Sequence, residues 1–478
     1  MYAKAGILMA ATIFSTGALG EERQLTFSPK NHNLDQNDNF SPDQRFLCFD
    51  TRETIGPGID HGQTIEKVEI STGAESLIYK PAAVLTGTRS APGIGAVSYS
   101  PVADSVIFIH GPLVEEVDVR GPYGKPNRKG ALVPGDGSGT LSWADFRDIA
   151  KDRDTLAGAH RGGTHRHEYS LDGKRIGFTY DDFLMPEYDR TIGYMEPRED
   201  APGDASHYFA LLVAVPPMGK SKPGEIEKAA ADSWVGREGR MRAFIGKVRA
   251  QDGVAYEESL FVVDIPEGVD ITTADAGSAM RFPSPPQGVK VRRLTHDWAG
   301  GIVRGSYDGS RIAYYGKDAN GVRQVFLIAS DGSDRSDQPE KRPVQATFLE
   351  KGAEASLRWH PSGHSILCVS NNGIVSTCVV PGPRFGKSVF LTPQGDQPVE
   401  RKVPESTISP WPWMEDSFLR SDVVISPDGK TMAYSKAVPT KTGKGEPAHT
   451  YAGKDFHQIF VSPFPDADND GIADGTPE

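Results

Sequence analysis

The sequence predicts an all-β protein: a single β-propeller, seven-bladed with six or eight blades as alternatives, each blade a four-stranded antiparallel sheet. Three observations predict it. One short pattern recurs along the chain, an apolar residue followed by Ser-Pro-Asp-Gly or a variant and then an alternating apolar run. The 478 residues include 52 Gly and 36 Pro, so many turns separate short apolar runs. Beyond the first residues, no apolar run is long enough to span a bilayer.

The copies are FSPDQRFLCFD from Phe40, YSPVADSVIFIH from Tyr99, YSLDGKRIGFTY from Tyr169, SYDGSRIAYYG from Ser306, WHPSGHSILCVS from Trp359 and ISPDGKTMAYSK from Ile425. Asp-Gly supplies a tight turn with positive φ, and Pro presets its entry. The run that follows has the two-residue period of a strand. Third strands follow some copies, as in VRQVFLIAS from Val322 and DFHQIFVSP from Asp455, and RRLTH from Arg292 reads as an outer strand. One such sheet cannot bury both faces, so the units stack around an axis.

A seventh unit without the turn signature is expected between Ser206 and His296, from SHYFALLVAV, MRAFIGKV, SLFVVDI and VKVRRLTH. RQLTF from Arg23 reads as a detached outer strand that closes the ring on the C-terminal blade. Residues 122–148, 197–205, 216–230 and 392–416 read as loops, with one or two helical turns over 225–231. The expected division is a signal peptide over 1–20, a propeller over 21–465 and an acidic tail over 466–478.

Lys4 followed by an apolar stretch ending in Ala18-Leu19-Gly20 has the form of a cleaved secretory signal, placing the mature chain in the periplasm or outside the cell with no membrane span. The net charge of −12 argues against nucleic acid and leaves room for a local basic cleft. A monomer binding a protein or an acidic glycan at the propeller face is expected. Cys48, Cys368 and Cys378 lie in apolar runs and read as buried small hydrophobes. A hairpin at Asn371-Asn372-Gly373 would pair Cys368 with residues near Val375, not with Cys378.

These repeats resemble those of TolB and related periplasmic propellers with PD40, WD40-like repeats. The wider match is to a bacterial TolB-like family often labelled "biopolymer transporter Tol", on QLTFSPKNHNLDQNDNFSPD from Gln24, GQTIEKVEISTGAESLIY from Gly62, FIHGP from Phe108, RGGTHRHEYSLDGKRIGFTYDD from Arg161, SHYFALLV from Ser206, WVG from Trp234 and WHPSG from Trp359. That resemblance implies a propeller of this size and no reaction. A more distant resemblance is to oligogalacturonate lyases, which implies a divalent metal held by histidines at the axis.

The third copy is preceded by His165 and His167, two residues apart and so on one face of a regular strand. Together with His32 and His207 they are expected to hold Mn, Zn or Ni in the central channel. The catalytic candidates are His110, facing the channel mouth, and Arg161, pairing with a uronate during β-elimination. The leading expectation is a non-catalytic, TolB-like propeller that binds an envelope or extracellular ligand in its central channel, its histidines satisfied polar groups; the metal-dependent lyase acting on acidic oligosaccharides is the alternative. His160, His360 and His364 read as surface or turn residues, Asp181 and Asp182 as a carboxylate pair or a solvated strand end, and Trp411 and Trp413 as a sugar platform or a plug. Asp466, Asp468, Asp470 and Asp474 fit D-x-D-x-D-G-x-x-D, resembling the calcium loops of thrombospondin type 3 and dockerin-like repeats. No nucleophile-elbow, Walker or dinucleotide motif stands in its required context.

Overall fold

The turn signature builds each blade's first hairpin from its own side chains. In four copies the Ser hydroxyl donates to the Asp two residues on, at 2.6 Å in Ser41–Asp43, Ser170–Asp172, Ser306–Asp308 and Ser426–Asp428. The same hydroxyl accepts the N–H five residues on, at 2.9–3.0 Å, which starts the second strand. Gly173, Gly309 and Gly429 close these turns with φ of 70°, 78° and 78°, open to glycine at little cost.

The computed structural model describes residues 21–35, 38–395 and 420–478. Seven antiparallel blades surround one axis. Their innermost strands are a segment bridging Asn33 to Asp50 and Phe40 to Leu47 in blade one, then Ile94–Tyr99, Gly163–Tyr169, Ile226–Trp234, Gly300–Gly305, Ala355–Trp359 and Arg420–Ile425. Arg23–Gln24 pairs with Phe456–Pro463 and supplies the outer strand of blade seven, closing the ring as expected. Cys368 pairs with Val375 and Cys378 with Ser365, and all three cysteines are free and buried.

Some boundaries differ from expectation. SHYFAL belongs to the outer strand of blade three, His207–Leu211, not to the fourth blade. The fourth blade instead begins with Ile226–Trp234, where helical turns were expected. Its inward positions carry Glu227 and Ala229 rather than β-branched residues, which hides the two-residue period. Residues 122–148 hold two strands of blade two, Lys129–Pro134 and Ser142–Trp143. The tail packs down: Ile472 and Ala473 are buried, and Ser365 Oγ donates to Gly471 O at 2.8 Å. Residues 1–20 and Trp411 and Trp413 lie outside the described residues.

Two features recur at the hub. In blades two, three, four, six and seven the innermost strand shifts register around one non-glycine residue in the left-handed region: Ala96, Arg166, Ala231, Ser356 and Asp422. Each stands four residues before the turn, and such bulges re-aim side chains at a local strain cost of roughly 1–3 kcal/mol. The side chain two residues before the turn then donates to a backbone carbonyl of the next blade. Asn39 reaches Val97 O at 3.3 Å, Ser98 reaches His167 O at 3.0 Å, Arg304 reaches Leu357 O at 3.2 Å and Arg358 reaches Val423 O at 3.0 Å. Two tryptophans return the bond: Trp234 Nε1 donates to Glu168 O at 2.9 Å and Trp359 Nε1 to Arg304 O at 3.0 Å.

Trp359→Phe keeps the ring and removes one such buried inter-blade hydrogen bond. It is expected to lower stability by about 1–2 kcal/mol, read as a lower urea midpoint at unchanged m-value.

Candidate functional site

Blade three departs from the other blades at the axis, because its bulge residue is an arginine. Arg166, at φ 59°, extends from the inner strand and donates to Asp232 O of blade four at 3.4 Å, while its buried Nη2 finds no acceptor. The bulge also breaks the period that would have joined two histidines. His167 turns towards blade two, with Nε2 3.1 Å from Thr164 Oγ1 and close against Gly130. His165 stays with the strand behind it, its Nδ1 3.4 Å from Thr179 Oγ1.

His165 therefore stands within a cluster of basic side chains on the inner strand of blade three. Burial first, then the charges of Arg128, Arg190 and Arg166, hold its pKa well below the ordinary histidine value, so the ring is neutral at neutral pH. Asp181 organises the cations: Arg190 grips it at 2.7 and 3.1 Å, and Arg128 Nη2 lies 3.6 Å away. Lys228 of blade four pairs with Asp189 at 3.3 Å. The two glycines ahead of the strand are required by close approach: a Cβ on Gly162 would lie 1.9 Å from Asp181 O, and one on Gly163 2.1 Å from Lys125 O.

The other candidates lie elsewhere. His32 is fully buried near Glu75, with Nε2 3.3 Å from the carboxylate and its ring 4.8 Å from Phe49. His207 is on an outer strand beside Ser206, not opening a blade at the channel. Among the described residues, the one group of three or more potential metal-binding side chains with donor atoms mutually within 4.8 Å is Asp466, Asp468 and Asp470. The four histidines thus do not meet at one ion, and the axial metal implied by the lyase resemblance does not fit them. Asp474 is not part of that acidic group; its carboxylate folds back on the same loop and accepts Ala467 N–H at 3.1 Å.

His110 and Arg161, expected at the channel, are committed within the core. His110 is fully buried, bonded to Tyr79 Oη at 3.1 Å and Gly111 O at 2.6 Å, with Trp143 edge-on. Arg161 holds Asp182 at 2.8 Å and donates to Ser278 O and to Arg281 O, clamping blade three to the long loop of blade four. Asp181 and Asp182 are both ion-paired, not a solvated strand end. His160 is a core residue, with Nε2 3.3 Å from the buried Asp145, while His360 fills its turn position through Ser362 and Gly429. His364 is exposed and bonds Asp470 O at 2.5 Å. Sequence reasoning missed Arg128, Arg166 and Arg190, which no motif marks. It also missed a groove of about 430 Å³ between blades four and five, lined by Lys247, Tyr256, Glu257, Glu258, His296 and Trp298.

Burial pushes the pKa of both His110 and His167 down to about 4. Their folded values lie below the unfolded value, so unfolding takes up protons between those limits and stability falls as pH drops from about 6.5 towards 4. The expected slope is up to about 1.4 kcal/mol per pH unit for each histidine. His110→Asn should flatten the pH dependence of the urea midpoint across that window.

Comparison with known proteins places this geometry. Residues 93–204, which span blade two and the first three strands of blade three, match a family model described as a protein of unknown function, DUF3748. Among solved structures, an oligogalacturonate lyase in complex with manganese is 12% identical, covering 75% of this chain and 92% of that one at a TM-score of 0.40. A putative TolB from Agrobacterium tumefaciens is 12% identical, covering 84% and 98% at a TM-score of 0.37. The uncharacterized protein YidR of Escherichia coli strain K12 is 31% identical over 427 residues, covering 83% of this chain and 95% of that protein. The chain, a seven-bladed propeller, belongs to the family of YidR.

Proposed function

We propose that the protein is an exported binding propeller whose blade-three mouth takes a carboxylate-bearing ligand, with acidic glycans as the fitting class. One observation carries the reading. A chain of net charge −12 gathers Arg128, Arg166 and Arg190 around a neutral His165, with Asp181 as the carboxylate that organises them. Guanidinium groups match carboxylates in charge and in planar donor geometry. The export part rests on the leader-like first residues; among the described residues no helix is long and apolar enough to cross a membrane.

A second reading is favoured by His165 itself. A neutral imidazole beside guanidinium groups has the ingredients for β-elimination: the cations neutralise the uronate carboxylate, the ring takes the α-proton, and a C=C bond forms as the β glycosidic C–O bond breaks, the departing oxygen taking a proton from the imidazolium or water. It needs no ion held by the four histidines. Calcium at Asp466, Asp468 and Asp470 is a separate proposal and concerns the docked tail. It predicts a Tm lowered by chelator and restored by calcium, and an unchanged Tm removes it.

Calorimetry with trigalacturonate and the neutral maltotriose tests the binding reading. The acidic trimer should bind, more weakly as salt rises, and the neutral one should not. Arg166→Ala should weaken binding by about tenfold or more, the scale of one charge-assisted bond. Equal binding of both sugars, or of neither, would overturn the reading. Ultraviolet absorbance followed over the same polyuronide panel decides the second: accumulation of unsaturated product supports elimination, and a flat trace with every polyuronide removes it.

A further inference from the structure

Arg147 lies where the chain passes from blade two into blade three, bridged to His160. It is 3% exposed. Its Nε donates to Gly162 O at 3.0 Å, but Nη1 and Nη2 are buried without an acceptor. A guanidinium offers two N–H donors at each Nη, so four are unmet. Phe183 covers the group, with its ring centroid 4.8 Å from Cζ.

The nearby carboxylates are already committed. Glu116 pairs with Arg120 at 3.3 Å and accepts Leu113 N–H at 3.0 Å. Asp182 takes Arg161, Tyr180 Oη and the N–H groups of Leu184 and Met185. Burial, reinforced by the charge of Arg120, pulls the pKa of Arg147 down to about 10, the mark of a cation short of a counter-charge. An enclosed charge with unmet donors is among the costliest groups a fold can carry, and an anion in the plane of the guanidinium removes that cost.

We propose that Arg147 is an anion-binding centre of its own, taking a small monovalent anion, in a ligand a carboxylate, on Nη1 and Nη2 beneath Phe183. The cover reaches solvent, since Phe183 is 38% exposed. The neighbouring Arg128, beside Gly163, also has Nε and Nη2 without acceptors, so two glycines separate two guanidiniums with spare donors. The inference stands without the mouth reading, since Arg147 and the mouth arginines are tested by different variants.

Acetate is the probe, titrated into the full mature protein in low-salt buffer while Tm is followed. At acetate about ten times its Kd, wild type should gain a rise roughly 1–2 °C larger than that of Arg147→Met, as ligand linkage predicts. The difference between wild type and Arg147→Met should persist when both carry Arg166→Ala, so acetate taken up beside Arg166 does not enter it. The absence of an acetate-dependent rise in wild type, or the same rise in Arg147→Met, overturns the proposal. A wild-type crystal soaked in bromide gives a reading that needs no variant: an anomalous peak within hydrogen-bond reach of both Nη atoms is expected, and water alone there overturns it.

Discussion

A propeller has no single core, so its ring holds only as well as neighbouring blades hold each other. Here the tightest constraint is at the hub, where in four blades a polar side chain two residues before the turn reaches a backbone carbonyl of the next blade. Asn39, Ser98, Arg304 and Arg358 share that geometry although they differ in length and charge. The carbonyls are available because bulges at Ala96, Arg166, Ser356 and Asp422 rotate the inner strands just before them. Glu168 fits the same scheme as an acceptor, taking Ser233 Oγ at 3.0 Å and Arg242 Nη1 at 2.9 Å.

The proposed binding face follows from one exception within that frame. The bulge that places alanine at the axis in blades two and four places Arg166 there in blade three. The same blade carries Asp181 at the end of its second strand, which draws in Arg190 and Arg128. A basic mouth thus forms on an acidic molecule without a motif, from residues contributed by two blades and their loops. Electrostatic selectivity of this kind favours encounter with anionic ligands and falls with ionic strength.

Much of the fold was legible in the sequence, because the turn signature is local. Ser, Asp and Gly bond within five residues, so the pattern is visible wherever it occurs. Ring closure by Arg23–Gln24 and the Cys368–Val375 pairing were legible for the same reason: strand period and turn length fix register. The site was far less legible. His165 and His167 share a face only on an uninterrupted strand, and the bulge at Arg166 has no sequence mark, since Ala, Arg, Ser and Asp all occupy equivalent positions. Arg161 looked available because Ser278 and Arg281, its carbonyl partners, lie more than a hundred residues away.

The central claim is that the blade-three mouth recognises carboxylates, and a crystal structure of the protein with bound trigalacturonate tests it most directly. The account predicts a uronate carboxylate within hydrogen-bond reach of at least one of Arg128, Arg166 and Arg190, beside His165. Density for the sugar at the groove of Trp298 and Tyr256, or anywhere else away from those three arginines, would contradict it.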